Sequence, residues 1–149
     1  MKKKICNICK RKYKVEERVC PMCHSSQNVQ CLHEWVGIIG FDELFSNCER
    51  STISLTNNDI VVMVRRPSFN ILETGFFSLL NCINYALVFN EPYCNIKRVY
   101  NTERNRKRFI EPLRLTIIEM NDGKEYYFAR FKDAELDLFE YYTKVKADY

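Results

Sequence analysis

Four cysteines near the start of the chain constrain it more than any other feature. Cys6-Asn7-Ile8-Cys9 and Cys20-Pro21-Met22-Cys23 are two Cys-x2-Cys pairs separated by ten residues. A Cys-x2-Cys turn folds back on itself and presents both sulfurs on one side. Two such turns, or knuckles, joined by a short hairpin bring four thiolates to the corners of a tetrahedron. That is the arrangement Zn2+ takes in closed structural sites, with Zn–S near ~2.3 Å. The stretch from Lys10 to Val19 leaves room for two short strands and a turn. Tyr13 and Val15 alternate with charged neighbours, as a strand would, and Glu16-Glu17 suit an exposed turn.

Disulfides are the competing use of these cysteines. Met1-Lys2-Lys3-Lys4 is basic, but no apolar stretch follows it to make a secretory signal. The expected compartment is therefore the cytoplasm, with peripheral membrane contact left open and no transmembrane helix expected. Thiols stay reduced there, and paired knuckles favour metal or redox chemistry. A thioredoxin-like redox site needs a single pair near a βαβ pattern, and neither condition holds. The expected ligands are Cys6, Cys9, Cys20 and Cys23 around a structural Zn2+. His24, Cys31 and His33 are the neighbours that compete for a place. His24 follows Cys23 directly, too close for an independent corner, and reads as a surface residue. Cys48, Cys82 and Cys94 lie in apolar surroundings and are expected as buried free thiols. No spacing supports a second metal site built from them and Cys31.

The run Lys2-Lys3-Lys4-Ile5-Cys6-Asn7-Ile8-Cys9, with Val19-Cys20-Pro21-Met22-Cys23, resembles the N-terminal zinc ribbon of many bacterial multidomain proteins. A proline inside the second knuckle is typical of that group. The resemblance covers about one sixth of the chain and implies a structural zinc, with little about activity. The family often places glycine after each knuckle to make a left-handed turn. Lys10 and His24 stand at those positions here.

A ribbon this short does not fold without its metal, whose binding supplies roughly 10–16 kcal/mol in zinc-finger peptides. The remaining ~120 residues are enough to bury a core, and ten Phe and nine Tyr provide the material for it. Charge is unevenly spread. Residues 1–24 hold eight Lys/Arg against two Glu, whereas residues 25–149 hold fifteen against seventeen Asp/Glu. The basic character thus belongs to the ribbon. One reading is phosphate contact, on nucleic acid or a lipid surface, by Lys10, Arg11, Lys12 and Lys14 with Arg104, Arg106, Lys107 and Arg108. The other is that the ribbon lysines are solvated and offset a doubly negative zinc–tetrathiolate centre.

Along the rest of the chain, residues 25–35 read as a polar linker. Trp35-Val36-Gly37-Ile38-Ile39-Gly40-Phe41 reads as an apolar segment packing on a second domain, and residues 42–47 as one helical turn. Residues 52–56 alternate apolar and hydroxyl side chains, a half-buried strand. Asn57-Asn58-Asp59 is turn chemistry. Ile60-Val61-Val62-Met63-Val64 suits a strand buried on both faces, ended by Pro67. Residues 75–89 carry no charge and leave three readings: a core helix with Phe76, Leu80, Ile83 and Leu87 as its stripe, a loop or hairpin over the sheet, or a membrane-surface insertion. They are too few to span a bilayer as a helix, which takes ~20 residues.

Pro92-Tyr93 is expected to open a strand, with a bulge implied by Ile96 and Val99 both pointing inward. Residues 101–108 read as a charged loop. Leu113 to Met120 reads as a strand with Leu113, Leu115 and Ile117 on one face. Asn121-Asp122-Gly123 makes a hairpin turn, and residues 125–131 return with Tyr127, Ala129 and Phe131 on one side. Asp133 is expected to cap a final helix. Its buried stripe is Ala134, Leu138, Tyr141/Tyr142 and Val145, widened by Leu136 and Phe139.

The fold class is therefore α+β: a small zinc ribbon, then an antiparallel β roll or partly open barrel with a C-terminal amphipathic helix. The order resembles bacterial pleckstrin-homology-like and GRAM-like domains. It does so through Ile53-Ser54-Leu55-Thr56-Asn57-Asn58-Asp59-Ile60-Val61, Pro92-Tyr93-Cys94-Asn95-Ile96, and Asp122-Gly123-Lys124-Glu125-Tyr126-Tyr127-Phe128 with the helix. The expected division is residues 1–30 ribbon, 31–50 linker and packing segment, and 51–149 pleckstrin-like domain with an apolar insertion near 75–89. The resemblance implies a scaffold binding lipids, peptides or proteins. Only two histidines occur, and no phosphate-cradling glycine loop or nucleophile motif, so no enzyme is expected. The expected function is a non-catalytic zinc-binding interaction module for a protein, peptide or membrane-associated partner. The alternative is a nucleic-acid-binding regulator, using the basic ribbon and loop 104–108 interleaved with Tyr13, Tyr100 and Phe109.

Overall fold

The computed structural model describes residues 1–41, 47–67, 83–104, 113–129 and 131–145. Strands β1 (Lys3–Ile5) and β2 (Lys12–Lys14) form a two-stranded antiparallel ribbon. Seven further strands form one antiparallel sheet: β3 (Cys31–Gly40), β4 (Cys48–Thr56), β5 (Asp59–Pro67), β6 (Ile83–Pro92), β7 (Ile96–Arg104), β8 (Leu113–Met120) and β9 (Glu125–Ala129). Their order is β6-β5-β4-β3-β9-β8-β7. A helix, α1 (Asp133–Val145), follows. The chain is thus an α+β protein, mostly antiparallel sheet, with its cysteine cluster at the N-terminal end.

The topology is two meanders joined by the pairing of β3 with β9. Strands β3 to β6 run up and down, β7 to β9 do the same, and β3 pairs β9 from Ile38↔Ala129 to Gly40↔Tyr127. The segment expected as linker and packing piece is therefore the strand that joins both halves. Its polar start misleads because β3 alternates exposed and covered residues until Trp35.

The sheet curves around its inner face. Strands β6 and β9 are separated by three others, yet the rings of Phe89 and Tyr126 lie 4.8 Å apart between centroids. The enclosed core holds Trp35, Ile39, Ile53, Val62, Ile118 and Phe128. Phe139 of α1 is fully buried in it, edge-on to Trp35 at 6.2 Å. Gly37 leaves the room for this closure, since a Cβ there would meet the Phe131 ring at 2.9 Å.

Both hairpin turns form as their residues dictate. Thr56 Oγ1 accepts from the backbone N–H groups of Asn58 and Asp59 at 3.1 and 2.9 Å. Gly123 takes a φ of 89° in the β8–β9 turn, which glycine alone adopts freely. The expected bulge before Val99 is present, between Ile96 and Arg98. Pro92-Tyr93 ends one strand rather than opening another: Tyr93–Asn95 is a 3-10 turn. Buried Tyr93 donates to the carbonyl of Thr56 at 2.6 Å and stacks on Tyr142.

Several expectations are corrected. Residues 83–89 are strand, paired with β5, so the helical stripe through Ile83 and Leu87 does not form. Residues 75–82 lie outside the described residues, as do 42–46. Residues 101–104, expected as loop, continue β7. Phe131 lies past the end of β9 and turns to the inner core, away from Tyr127. Asp133 does not cap α1. Instead the Lys132 N–H donates to Glu135 Oε2 at 2.7 Å, and Leu136 N–H to the Lys132 carbonyl at 3.0 Å, half of a capping box. The buried face is Leu138, Phe139, Tyr142 and Thr143, while Ala134 and Tyr141 are exposed. Cys48 and Cys94 are exposed, not buried, and Cys82 lies outside the described residues.

Among the described residues, Phe139 is the most deeply buried of the helix side chains that tie helix to sheet. Phe139→Ala is expected to cost about 3–5 kcal/mol, read as a lowered urea midpoint. Tyr141→Ala, two residues along the helix and exposed, is expected to cost within about 0.5 kcal/mol.

Candidate metal centre

Each knuckle is built the same way. Cys6 N–H donates to the Arg11 carbonyl at 2.9 Å, and Lys10 N–H to the Cys6 carbonyl at 3.1 Å. Cys20 N–H donates to the Ser25 carbonyl at 2.9 Å, and His24 N–H to the Cys20 carbonyl at 2.9 Å. Both turns close through a left-handed residue directly after the second cysteine: Lys10 at φ 61° and His24 at φ 60°. These are the two positions where zinc ribbons often carry glycine, and the chain adopts the turn without it. A non-glycine residue bears roughly 1–2 kcal/mol for that conformation.

The strands lie differently from expectation. They do not both fall between the knuckles; β1 precedes the first and β2 follows it. The second knuckle is enclosed by a bridge between Val19 and Ser26. Each knuckle is therefore the tip of its own small hairpin, and the two tips face each other.

This brings together Cys6, Cys9, Cys20 and Cys23, whose sulfurs all lie within 4.8 Å of one another. The Cys6–Cys23 and Cys9–Cys20 separations are 3.4 and 3.5 Å. A disulfide needs about 2.05 Å, so none is present. A tetrahedral ion with bonds near 2.3 Å would set the sulfurs about 3.8 Å apart, and the cluster fits that with small adjustment. Cys6, Cys20 and Cys23 are buried and Cys9 is half-buried. Among the described residues no histidine or carboxylate joins the group. His24 is exposed, and His33 packs edge-on against Tyr142 at 5.7 Å. The four sulfurs could hold a metal ion.

Burial and hydrogen bonding act unequally on Cys6, Cys9 and Cys23. The Cys9 thiol donates to Cys23, and with help from Ser25 and Cys6 this pulls Cys23 down to about 4. The same bond pushes Cys9 up, while burial pushes Cys6 up. Tyr13 beside them is also raised, first by burial and then by the nearby thiolates.

The cluster is set into the large sheet. Ile8, Tyr13 and Val29 from the ribbon pack with Val61 and Met63 on the outer face of β5, and Leu87 of β6 adjoins them. Asn90 Nδ2 donates to the Cys23 carbonyl at 2.7 Å and lies 3.4 Å from Ser25 Oγ. The expectation that residues 60–64 are covered on both faces holds, with the ribbon as the cover on one side. Sequence reading missed Leu87 and Asn90, whose signal was buried in the uncharged stretch around 75–89. A cleft of about 140 Å3 runs along this seam between Cys9, Lys10, Glu34 and Thr52.

The predicted basic residues divide. Lys10, Lys12 and Lys14 are exposed on the ribbon and Arg11 is half-buried. Arg104 ends β7, and Arg106, Lys107 and Arg108 lie outside the described residues.

No protein-family model matches the chain, and no curated protein matches it. Among solved structures, the chain is similar to the C-terminal domain of an unknown protein from Leishmania infantum, at 9% identity and a TM-score of 0.45. The match covers 78% of this chain and 84% of that one.

His24 closes a turn and ligates nothing. His24→Gly is expected to keep full metal content and to melt no lower, while His24→Val is expected to cost about 1–3 kcal/mol from a branched side chain at positive φ. Metal binding requires thiolates, and the thiols of Cys6 and Cys9 are pushed up, Cys6 by burial and Cys9 by its bond to Cys23. Metal uptake near neutral pH should therefore release at least two protons, so affinity rises about a hundredfold per pH unit and is lost on acidification. Chelator-competition titrations across neutral pH measure that slope.

Proposed function

We propose that the chain is a non-catalytic zinc-binding interaction module, a zinc ribbon seated on a pleckstrin-homology-like domain. Its ligand on this reading is a protein, a peptide or a membrane-associated partner. The observation that carries the reading is the closed four-sulfur cluster. Four cysteine ligands fill a tetrahedral Zn2+ and leave no position for a reactive water. Tetrahedral sulfur sites select zinc or iron, and the hard ligands that would favour other ions are not in the group.

The architecture supports the second half of the reading. A four-strand meander and a three-strand meander joined through their first and last strands, with a helix packed on the curved inner face, suit a partly open barrel of the pleckstrin and GRAM kind. Among the described residues no helix is long and apolar enough to cross a membrane. The nucleic-acid alternative asks for exposed rings on which bases stack, and Tyr13, its ring on the ribbon, is buried.

Purified protein is expected to carry about one zinc per chain. Cys20→Ser and Cys23→Ser are expected to lose it together with hydrogen-exchange protection of the knuckle amides. Iron in place of zinc, or a ribbon equally protected after chelation, would refute the structural-zinc reading. Pull-downs from lysate and liposome flotation test the module reading, which fails if the zinc-loaded chain retains neither protein nor lipid.

A further inference from the structure

We infer that the outward face of the β1–β2 ribbon is a docking surface for anionic lipid headgroups at a membrane surface. Cross-strand register sets Lys3 opposite Lys14, Lys4 opposite Tyr13 and Ile5 opposite Lys12. Side chains alternate along a strand, so Lys3, Ile5, Lys12 and Lys14 share one face, and Lys4 and Tyr13 share the other. The second face is the structural one. Tyr13 is buried, and the Lys4 ammonium sits 4.7 Å above its ring and donates to the carbonyls of Val15 and Glu17.

The first face has no such internal role. Its three lysines are exposed, and Ile5 among them is 60% exposed. Among the described residues none of the three has a carboxylate partner, the ion pairs lying instead at Glu119, Asp122 and Asp133. Like charges placed directly opposite across two strands are destabilising. Lys3 against Lys14 is such a pair, held in place by the knuckle and the core beneath it. Lys2, Lys10 and Arg18 are exposed nearby and extend the field.

The chemistry of the face selects its partner. The strand face itself carries no arginine for forked recognition of a base edge or a single phosphate, Arg18 lying outside β1 and β2, and it carries no exposed ring for stacking. Lysine is depleted in protein–protein interfaces. Lysines around an exposed aliphatic side chain suit an anionic bilayer, where each cation adds attraction and the apolar group enters the headgroup boundary. The inference deepens the module reading by naming its partner.

The test is co-sedimentation of the zinc-loaded full chain with two kinds of vesicle: phosphatidylcholine alone, and phosphatidylcholine with a minor share of phosphatidylserine. Binding is expected only to the second, and is expected to weaken as salt rises. The triple variant Lys3→Ser/Lys12→Ser/Lys14→Ser should bind on the order of a hundredfold more weakly, and Ile5→Ser about threefold to tenfold more weakly. Zinc content and melting temperature of each variant establish that the ribbon is intact. No binding to phosphatidylserine vesicles overturns the inference, as does binding that the triple variant retains. Tighter binding of duplex DNA through the same three lysines also overturns it, in favour of nucleic acid. A chain that holds zinc and captures a protein but ignores vesicles would sink this inference and leave the module reading standing.

Discussion

The rest of the structure depends on one contact, the seating of the ribbon on the outer face of β5. Val61 and Met63 point away from the enclosed core, where an antiparallel sheet would ordinarily meet water. They are instead fully or almost fully buried under Ile8, Tyr13 and the cysteine cluster. The sheet therefore needs the ribbon as much as the ribbon needs the sheet. Burial of apolar area stabilises by about 25 cal/mol per Å2, so the apolar side chains at this seam add to the chain's stability.

The two knuckles reach their shape against local preference. Lysine and histidine hold left-handed turns that glycine would take at no steric cost, and both turns keep the same pair of backbone hydrogen bonds. What holds them there is convergence: four sulfurs brought to within 4.8 Å and an apolar floor beneath. Local strain of this kind persists where its surroundings over-determine it.

Much of this was legible in the residues. The cysteine spacing located the cluster, and the hairpin turns at Asn57-Asn58 and Asp122-Gly123 were readable from turn chemistry. The strand bounds Leu113 to Met120 followed from alternation. The misreadings have physical causes. Cys31 to Gly40 was split between a polar linker and an apolar packing segment because the start of β3 is polar on its open face, and only tertiary pairing with both β4 and β9 makes it one central strand. Residues 83–89 mimicked a helical stripe because an uncharged run fits either period. The helix cap went to Glu135 rather than Asp133 because the chain enters α1 one residue earlier than composition suggests. The floor of the metal cluster was hidden because Leu87 and Asn90 are distant in sequence from every cysteine they support.

Part of that floor lies on β6, the last strand on its side of the sheet. A terminal strand offers unpaired backbone groups to any passing chain, and β6 carries an irregularity in its pairing with Val62 and Met63. Leu87 and Asn90 straddle that irregularity, and both are gripped by the cysteine-bearing hairpins. The grip fixes which residues of β6 face outward, so the N-terminal hairpins act as a latch on the sheet's vulnerable border. Disrupting the cysteine cluster would then do more than loosen a small appendage: it would free a border strand to pair with its neighbours, and self-association would be its first sign.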